Sequence, residues 1–198
     1  MLLNKINKTP NKIYARKTEI KEITDTKIVS HFLENNHLQG RVGANIKLGL
    51  YHQGELVSLM TFGKLRRNLG QKSKQNHYEL LRFCNKLYTN VVGGASKLFK
   101  FFLKNYDPEY ILSYASRDYS NGNLYKSLGF NKIGKTKPNY YYIINGLRQN
   151  RFKYRKDILV KEGFDASLSE REIMSSLGHL RIYDSGNYKF ELKVKKNK

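Results

Sequence analysis

A chain of 198 residues with 39% hydrophobic side chains, among them 15 Tyr and 10 Phe, can bury a core of its own, which excludes global disorder. Its 37 Lys and Arg against 16 Asp and Glu give a formal charge of +21. One cysteine, Cys84, excludes an internal disulfide and a zinc-binding CxxC pair.

The charge is uneven. Residues 31–63 carry two basic and two acidic side chains, residues 64–104 ten basic and one acidic, and residues 146–198 thirteen basic and seven acidic. Such blocks point to a polyanionic partner, nucleic acid and DNA in particular; the plainer reading is a lysine-rich, solvated surface. The opening "MLLNKINKTPNK" is too short in apolar residues for a leader, and no run of about 18 apolar residues occurs. A soluble, intracellular protein without a membrane partner is expected, and a reducing, cytoplasmic setting suits the lone thiol.

Residues 1–12 read as a loose basic arm. Residues 13–23 alternate apolar and polar side chains and predict a strand. Asp25 or Thr26 caps a helix over "TKIVSHFLENN", with Ile28, Phe32 and Leu33 on one face. Two strands follow, joined at Gln53-Gly54, a hairpin signal. "RRNLGQKSKQNH" reads as a basic loop holding Arg66, Arg67, Lys72 and Lys74, just after Lys64. "YELLRFCNKL" reads as a strand. "TNVVGGASKLFKFF" then predicts a glycine turn and a helix from about residue 95 to 104, with Ala95, Leu98, Phe99 and Phe102 as its buried stripe. "YILSYA" is a central strand, and "SNGNLYKSLGF" a short helix closed by Gly129. "NKIG" and "NYYYII" are strands. Beyond residue 145, "GLRQNRFKYRKDILVKEGF" reads as a basic helix. "SLSEREIMSSLGH" reads as a helix with a Ser169/Glu172 capping box, and "LRIYDSGNYKFEL" as a hairpin turning at Ser185-Gly186.

The chemistry-bearing residues each have two readings. A helix N-terminus carries unpaired N–H groups and partial positive charge, so Val92, Gly93, Gly94, Ala95 and Ser96 could cradle a phosphate, with Lys97 adding charge, or form only a tight turn. Glu79 is either a proton acceptor or a partner for Arg82. His37 is a base, a phosphate ligand or a helix cap. Cys84 is a nucleophile or a buried inert thiol. Asn139 and Tyr140 belong to an extended strand, where an aromatic could also stack on an extruded base. Arg151, Lys153, Arg155 and Lys156 are phosphate contacts or a solvated helix face. A metal-dependent nuclease would need convergent carboxylates. No such run occurs, and no metal site is expected.

The element order, with "VVGGASKLF" opening the central helix and "NLYKSLGF" after the next strand, resembles the GCN5-related N-acetyltransferase (GNAT) superfamily over about residues 13–145. Asn121, Tyr125, Gly129 and Phe130 keep that family's N-x-x-x-Y-x-x-x-G-F spacing. The resemblance implies an α/β fold with a mixed central sheet flanked by helices and a strand that splays from its neighbour, to which the elements read over 146–198 add a small basic α+β extension. It also implies acetyl-CoA or another acyl-CoA held at the glycine turn, and Tyr125 as proton donor to the departing thiolate. The family's usual turn reads R/Q-x-x-G-x-G/A. Residues 78–130 further resemble phage DNA-modifying proteins of the Mom type. With "FLENNHLQG", "RFKYRKD" and "RIYDSGN", they are also similar to a domain of phage homing-endonuclease-like proteins. These likenesses imply a phage-encoded protein acting in a bacterial host. It would either transfer an acyl group to a base amine or bind DNA without chemistry. Where those relatives read S-Y-A-D, this chain has Ser116 after "SYA", so Asp118 is the candidate to stand in for that acid.

Overall fold

The computed structural model describes residues 8–65 and 74–194. Arg66, Arg67, Lys72 and most of the expected arm lie outside them. The chain forms two compact units, each discontinuous in sequence. The first comprises residues 1–114, 122–134 and 189–198, and the second residues 115–121 and 135–188. Neither edge falls at 145, because the chain leaves the first unit at residue 135 and returns to it at 189.

In the first unit the alternating stretch 13–23 does not form one strand. β1 (Asn11–Tyr14) and β2 (Glu19–Glu22) are separated by a 3-10 turn over Ala15–Lys17. The Thr18 hydroxyl and N–H both donate to the Ala15 carbonyl, at 2.7 and 3.1 Å, and close that turn. β1 then pairs in parallel with β6 (Thr89–Val92), a strand absent from the sequence reading, whereas β2 pairs with β3 (Ile46–His52). The β3–β4 hairpin, with β4 at Glu55–Lys64, turns at Gln53 and Gly54, both in left-handed conformations (φ 51° and 80°), as its sequence predicts.

The large sheet is mixed. β5 (His77–Asn85) runs antiparallel to β4 and parallel to β7 (Tyr110–Ser116). With β8 (Asn131–Lys135) and β12 (Asn187–Lys193) the order is β2-β3-β4-β5-β7-β12-β8. Helices cover both faces. α1 (Thr26–Asn36) starts at Asp25, whose carboxylate accepts from the Lys27 N–H, and buries Val29, Phe32 and Leu33 against Ile23 and Leu59. Ile28, expected on that stripe, is 46% exposed, since packing on Ile23 and Leu59 selects the adjacent rotation. α2 (Gly94–Tyr106) covers the other face, with Phe102 stacked on Phe62 at 3.6 Å between ring centroids.

α3 (Asn123–Ser127) explains the Y-x-x-x-G-F spacing physically. Gly129 is left-handed, its N–H bonds to the Lys126 carbonyl, and the Phe130 N–H bonds to the Tyr125 carbonyl at 2.9 Å. That is a Schellman ending, and its apolar contact is the edge-to-face pair Tyr125–Phe130.

The second unit holds a three-stranded sheet, β10-β9-β11, of β9 (Tyr140–Ile144), β10 (Leu147–Asn150) and β11 (Leu180–Tyr183). The expected basic helix after residue 145 is instead β10, a 3-10 turn over Arg151–Tyr154, and α4 (Lys156–Lys161). Asn145 and Gly146 both take positive φ (51° and 73°), and this Asn-Gly hairpin turn forces the following residues back along β9. α5 (Glu170–Ser176) carries the predicted capping box between Ser169 and Glu172. β11 and β12 are not a hairpin, because β11 pairs with β9 while β12 belongs to the large sheet.

Two glycines of similar φ separate backbone strain from steric fit. At Gly129 (φ +86°) an added Cβ meets open space, whereas at Gly122 (φ +82°) it would stand 2.2 Å from the Phe190 ring. Gly129→Ala should cost about 1–2 kcal/mol in urea unfolding. Gly122→Ala should cost about 1–3 kcal/mol more than that. Equal losses would deny the Phe190 contact.

Candidate functional site

The β5–β7 ladder runs from His77/Tyr110 to Leu80/Ser113, after which the parallel strands part. The cause lies on the other edge of β5. Phe62 pairs with Leu80 but Thr61 with Arg82, so Leu81 is an extra, bulged residue. A bulge bends and twists its strand, which here turns the end of β5 away from β7. Main-chain groups lining such a gap are suited to an extended amide ligand.

β6 leads from β5 into the glycine turn. Gly93 is the N-cap of α2, left-handed at φ 78°, and neither a side-chain cap nor a first-turn acid competes for the helix N–H groups. Gly94 has a different role. A Cβ there would meet Val91 at 3.0 Å and Leu50 at 3.4 Å, so its missing side chain lets α2 sit close on the core. Val92 and Ser96 are exposed and Ala95 half-buried. Lys97 differs from expectation. Its ammonium donates to the Ala15 carbonyl at 2.8 Å and to the Thr18 carbonyl and hydroxyl. Those three bonds occupy its three N–H donors, so Lys97 clamps the 15–18 turn onto α2 instead of facing a phosphate. Sequence reasoning also missed Asn90. It stands three residues before Gly93, making Asn90-x-x-Gly93-x-Ala95, with an amide where the family's turn has Arg or Gln. The signal was present in the spacing.

Glu79 and Tyr125 come together near the gap. Glu79 is buried on β5 (1% exposed), opposite Gly63. The Tyr125 hydroxyl donates to the Tyr114 carbonyl at 3.3 Å, just past the last β5–β7 pair. Burial pushes this phenol above its ordinary range, while Ser113, Arg82 and Glu79 all act on it at close range. Arg82, beyond the bulge, donates from Nε to the Gly40 carbonyl at 3.2 Å and also acts on His37. Beside it, the buried Thr61 hydroxyl is one of two buried side-chain polar atoms without a hydrogen-bond partner among the described residues. A polar ligand group would satisfy it. Tyr125 is also a core aromatic, stacked on Phe190 at 4.8 Å.

His37 ends α1, its N–H bonded to the Leu33 carbonyl. Its Nδ1 accepts from the Gln39 N–H at 3.0 Å, which puts the neutral ring's proton on Nε2. Burial and the neighbouring Arg82 push its pKa down to about 4. At neutral pH it is a helix cap and a donor, with no free basic nitrogen. Cys84 packs against the α1 cluster, and burial pushes its thiol up to about 12, as for an inert core cysteine.

Asp118 and Asn121 belong to the second unit. Asp118 accepts from the Ser185 N–H at 2.9 Å and contacts the Ser116 hydroxyl, and bonds from Ser185 hold its carboxyl below the usual range. It staples a loop. Asn121 is exposed directly before Gly122. Of the expected phosphate contacts, Lys64, Lys74, Lys153, Arg155 and Lys156 are exposed and Arg151 is half-buried. Arg155 pairs with Asp157 at 2.9 Å, Lys153 donates to Gln149, and Arg151 lies 4.7 Å over the Tyr140 ring.

The depressed His37 predicts a pH effect. Unfolded, its imidazole binds a proton near pH 6.5; folded, only near 4. The unfolded chain therefore holds more protons in that window, and stability is full above about pH 6.5 and falls toward pH 4. Melting curves of His37→Gln across that window should show a shallower acid loss than wild type. Identical slopes would remove His37 as the cause.

No family model matches this sequence, and no curated protein matches it. Solved structures do. The ribosomal-protein-S18-alanine N-acetyltransferase of Escherichia coli superposes with a TM-score of 0.54 at 11% identity, covering 91% of this chain and 96% of that one. A GNAT-family acetyltransferase of Desulfovibrio desulfuricans gives 0.52 at 8% identity, covering 90% and 99%. The spermidine/spermine N-acetyltransferase of Vibrio cholerae gives 0.52 at 10% identity, covering 90% and 94%. At such identities the shared property is the arrangement of strands and helices, and by that arrangement this chain has the fold of the GNAT superfamily.

Proposed function

We propose that this protein is an N-acyltransferase that takes its acyl group from acetyl-CoA or another acyl-CoA and delivers it to an amine of nucleic acid. An exocyclic amine of a DNA base is the acceptor the Mom-type likeness implies, in a phage protein working in the bacterial cytoplasm. The observation that carries the proposal is the meeting of Glu79, Arg82 and Tyr125 where β5 and β7 part.

The residues present fit such a donor. Gly93 opens α2 without a competing cap or acid, and the N–H groups of Gly94, Ala95 and Ser96 suit a diphosphate, with Asn90 nearby in sequence. An acyl-CoA, when bound, supplies an acyl group activated as a thioester. Glu79 would take the proton released by the acceptor nitrogen. Tyr125 would supply its hydroxyl proton to the departing thiolate, and the positive charge of Arg82 would offset the phenolate left behind. Its raised pKa keeps Tyr125 protonated, hence able to donate, across the neutral range. The acceptor half of the proposal draws on the charge of +21 and its concentration in residues 64–104.

Calorimetric titration of acetyl-CoA into wild type and Ser96→Glu tests the cradle. A carboxylate in the first turn favours the helix by about 0.3–1 kcal/mol, so Ser96→Glu should melt no lower than wild type yet lose saturable binding by repelling the diphosphate. Undiminished binding in the variant, or none in the wild type, would overturn it. Gly94 is unsuitable for this purpose, because a side chain there crowds Val91 at 3.0 Å and would confound packing with binding.

Tyr125→Phe keeps the ring stack and removes only the hydroxyl. We expect kcat to fall about 100-fold or more, with acetyl-CoA affinity unchanged and no alkaline limb below about pH 10 in the wild-type profile. An unaltered kcat would leave Tyr125 a packing residue alone.

A further inference from the structure

The three-stranded sheet of the second unit has one covered and one open face. Strand register puts Tyr142, Gln149 and Arg181 on one side. There Tyr142 is buried with Leu159 of α4 and Ile173 and Met174 of α5. Its hydroxyl accepts from Arg181 and donates to Glu170, which closes the polar account of that core. The same register puts Arg148, Ile143 and Leu180 in one row of the opposite face, and Asn150, Tyr141 and Ile182 in the next. This face stays open, with Leu180 74% and Ile182 47% exposed.

The open face has a definite chemistry. The Arg148 guanidinium lies 3.6 Å from the centroid of the Tyr141 ring, forming a two-layer π platform whose outer layer is cationic. None of the three strands contains an acidic residue, and Arg151, Lys153, Arg155 and Lys156 follow β10 within six positions. Asp157 pairs with Arg155 and Asp118 acts on Arg148, yet the balance at this face stays basic. Exposed aliphatic and aromatic groups beside it match a polyanion that also presents flat apolar rings. A duplex hides those rings in its stack, whereas a single strand offers them.

We infer that the open face of the β10-β9-β11 sheet binds single-stranded nucleic acid. A base stacks on the Arg148–Tyr141 platform, neighbouring bases lie over Ile182 and Leu180, and the basic run after β10 draws the phosphates. This inference rests on the nucleic-acid acceptor reading and gives it a surface. It also suits the chemistry, since an exocyclic amine is reached more readily on an unstacked base.

The chain contains no tryptophan, so Tyr141→Trp installs a single indole emitter on this face. Titrated with a mixed-sequence single-stranded DNA of about twelve nucleotides, its emission should quench saturably, and a duplex of the same length should quench it far less. In parallel, anisotropy with the labelled strand should show Arg148→Glu binding about tenfold or more weakly than wild type. Acetyl-CoA binding, in the other unit, should be unchanged in both variants, and circular-dichroism melts matching wild type certify their folding. Wild-type strand binding with no quench and no loss in Arg148→Glu would overturn this surface while leaving a nucleic-acid acceptor standing. Equal affinity for duplex and single strand without quenching would likewise overturn stacking. No strand binding by wild type, with acetyl-CoA binding intact, would remove both the surface and the nucleic-acid acceptor but not the acyltransferase.

Discussion

A single extra residue in one strand sets the geometry on which the candidate site depends. Leu81 has no counterpart on β4, so β5 turns at that point and leaves β7 after only four paired residues. A parallel pair deep in a mixed sheet would otherwise continue its ladder and satisfy its own main-chain groups. Because it stops, the residues around the bulge meet a gap. Glu79 lies just before it, Arg82 just after it, and Tyr125 reaches the Tyr114 carbonyl from α3. The Schellman ending of α3 matters for the same reason. It fixes the Tyr125 ring against Phe130 and so directs its hydroxyl inward.

The two glycines at the start of α2 divide two physical tasks. Gly93 adopts a conformation that side chains resist, which turns β6 into the helix; Gly94 removes a side chain so that the helix rests on Val91 and Leu50. Lys97 then holds the crossing turn 15–18 against the first turn of α2. Positive charge at that end therefore comes from the helix N–H groups, with the lysine committed to structure. His37 shows the same economy on the opposite face of the sheet. Its main-chain N–H caps α1 while its ring accepts from the Gln39 N–H and stays neutral beside Arg82.

In the second unit, arginine and tyrosine replace much of what aliphatic packing does in the first. Arg181 is hydrogen-bonded to Tyr142, lies 4.2 Å over Tyr140 and stands 3.6 Å from Glu170, all on the helix-covered side. On that side, arginine–aromatic contacts complete a core. The Arg148–Tyr141 contact uses the same chemistry on the opposite side, where Leu180 and Ile182 are exposed among the described residues.

By itself the sequence determined what short-range rules govern. The Gln53-Gly54 hairpin, a helix cap at Asp25 or Thr26, the Ser169/Glu172 capping box, the glycine turn before α2, the left-handed Gly129, and the mixed α/β order were all legible, because each depends on residues within a few positions of one another. The tertiary structure alone decided the rest. β1 finds β6, and Lys97 finds Ala15, 82 positions away. Val29 replaces Ile28 because Ile23 and Leu59 lie beneath it. β11 and β12 separate into different sheets, and Glu79, Arg82 and Tyr125 converge. Local propensity carries no information about which distant strand will supply a partner. Burial and hydrogen-bond closure across the whole chain make that choice, and through the Leu81 bulge they also made the site.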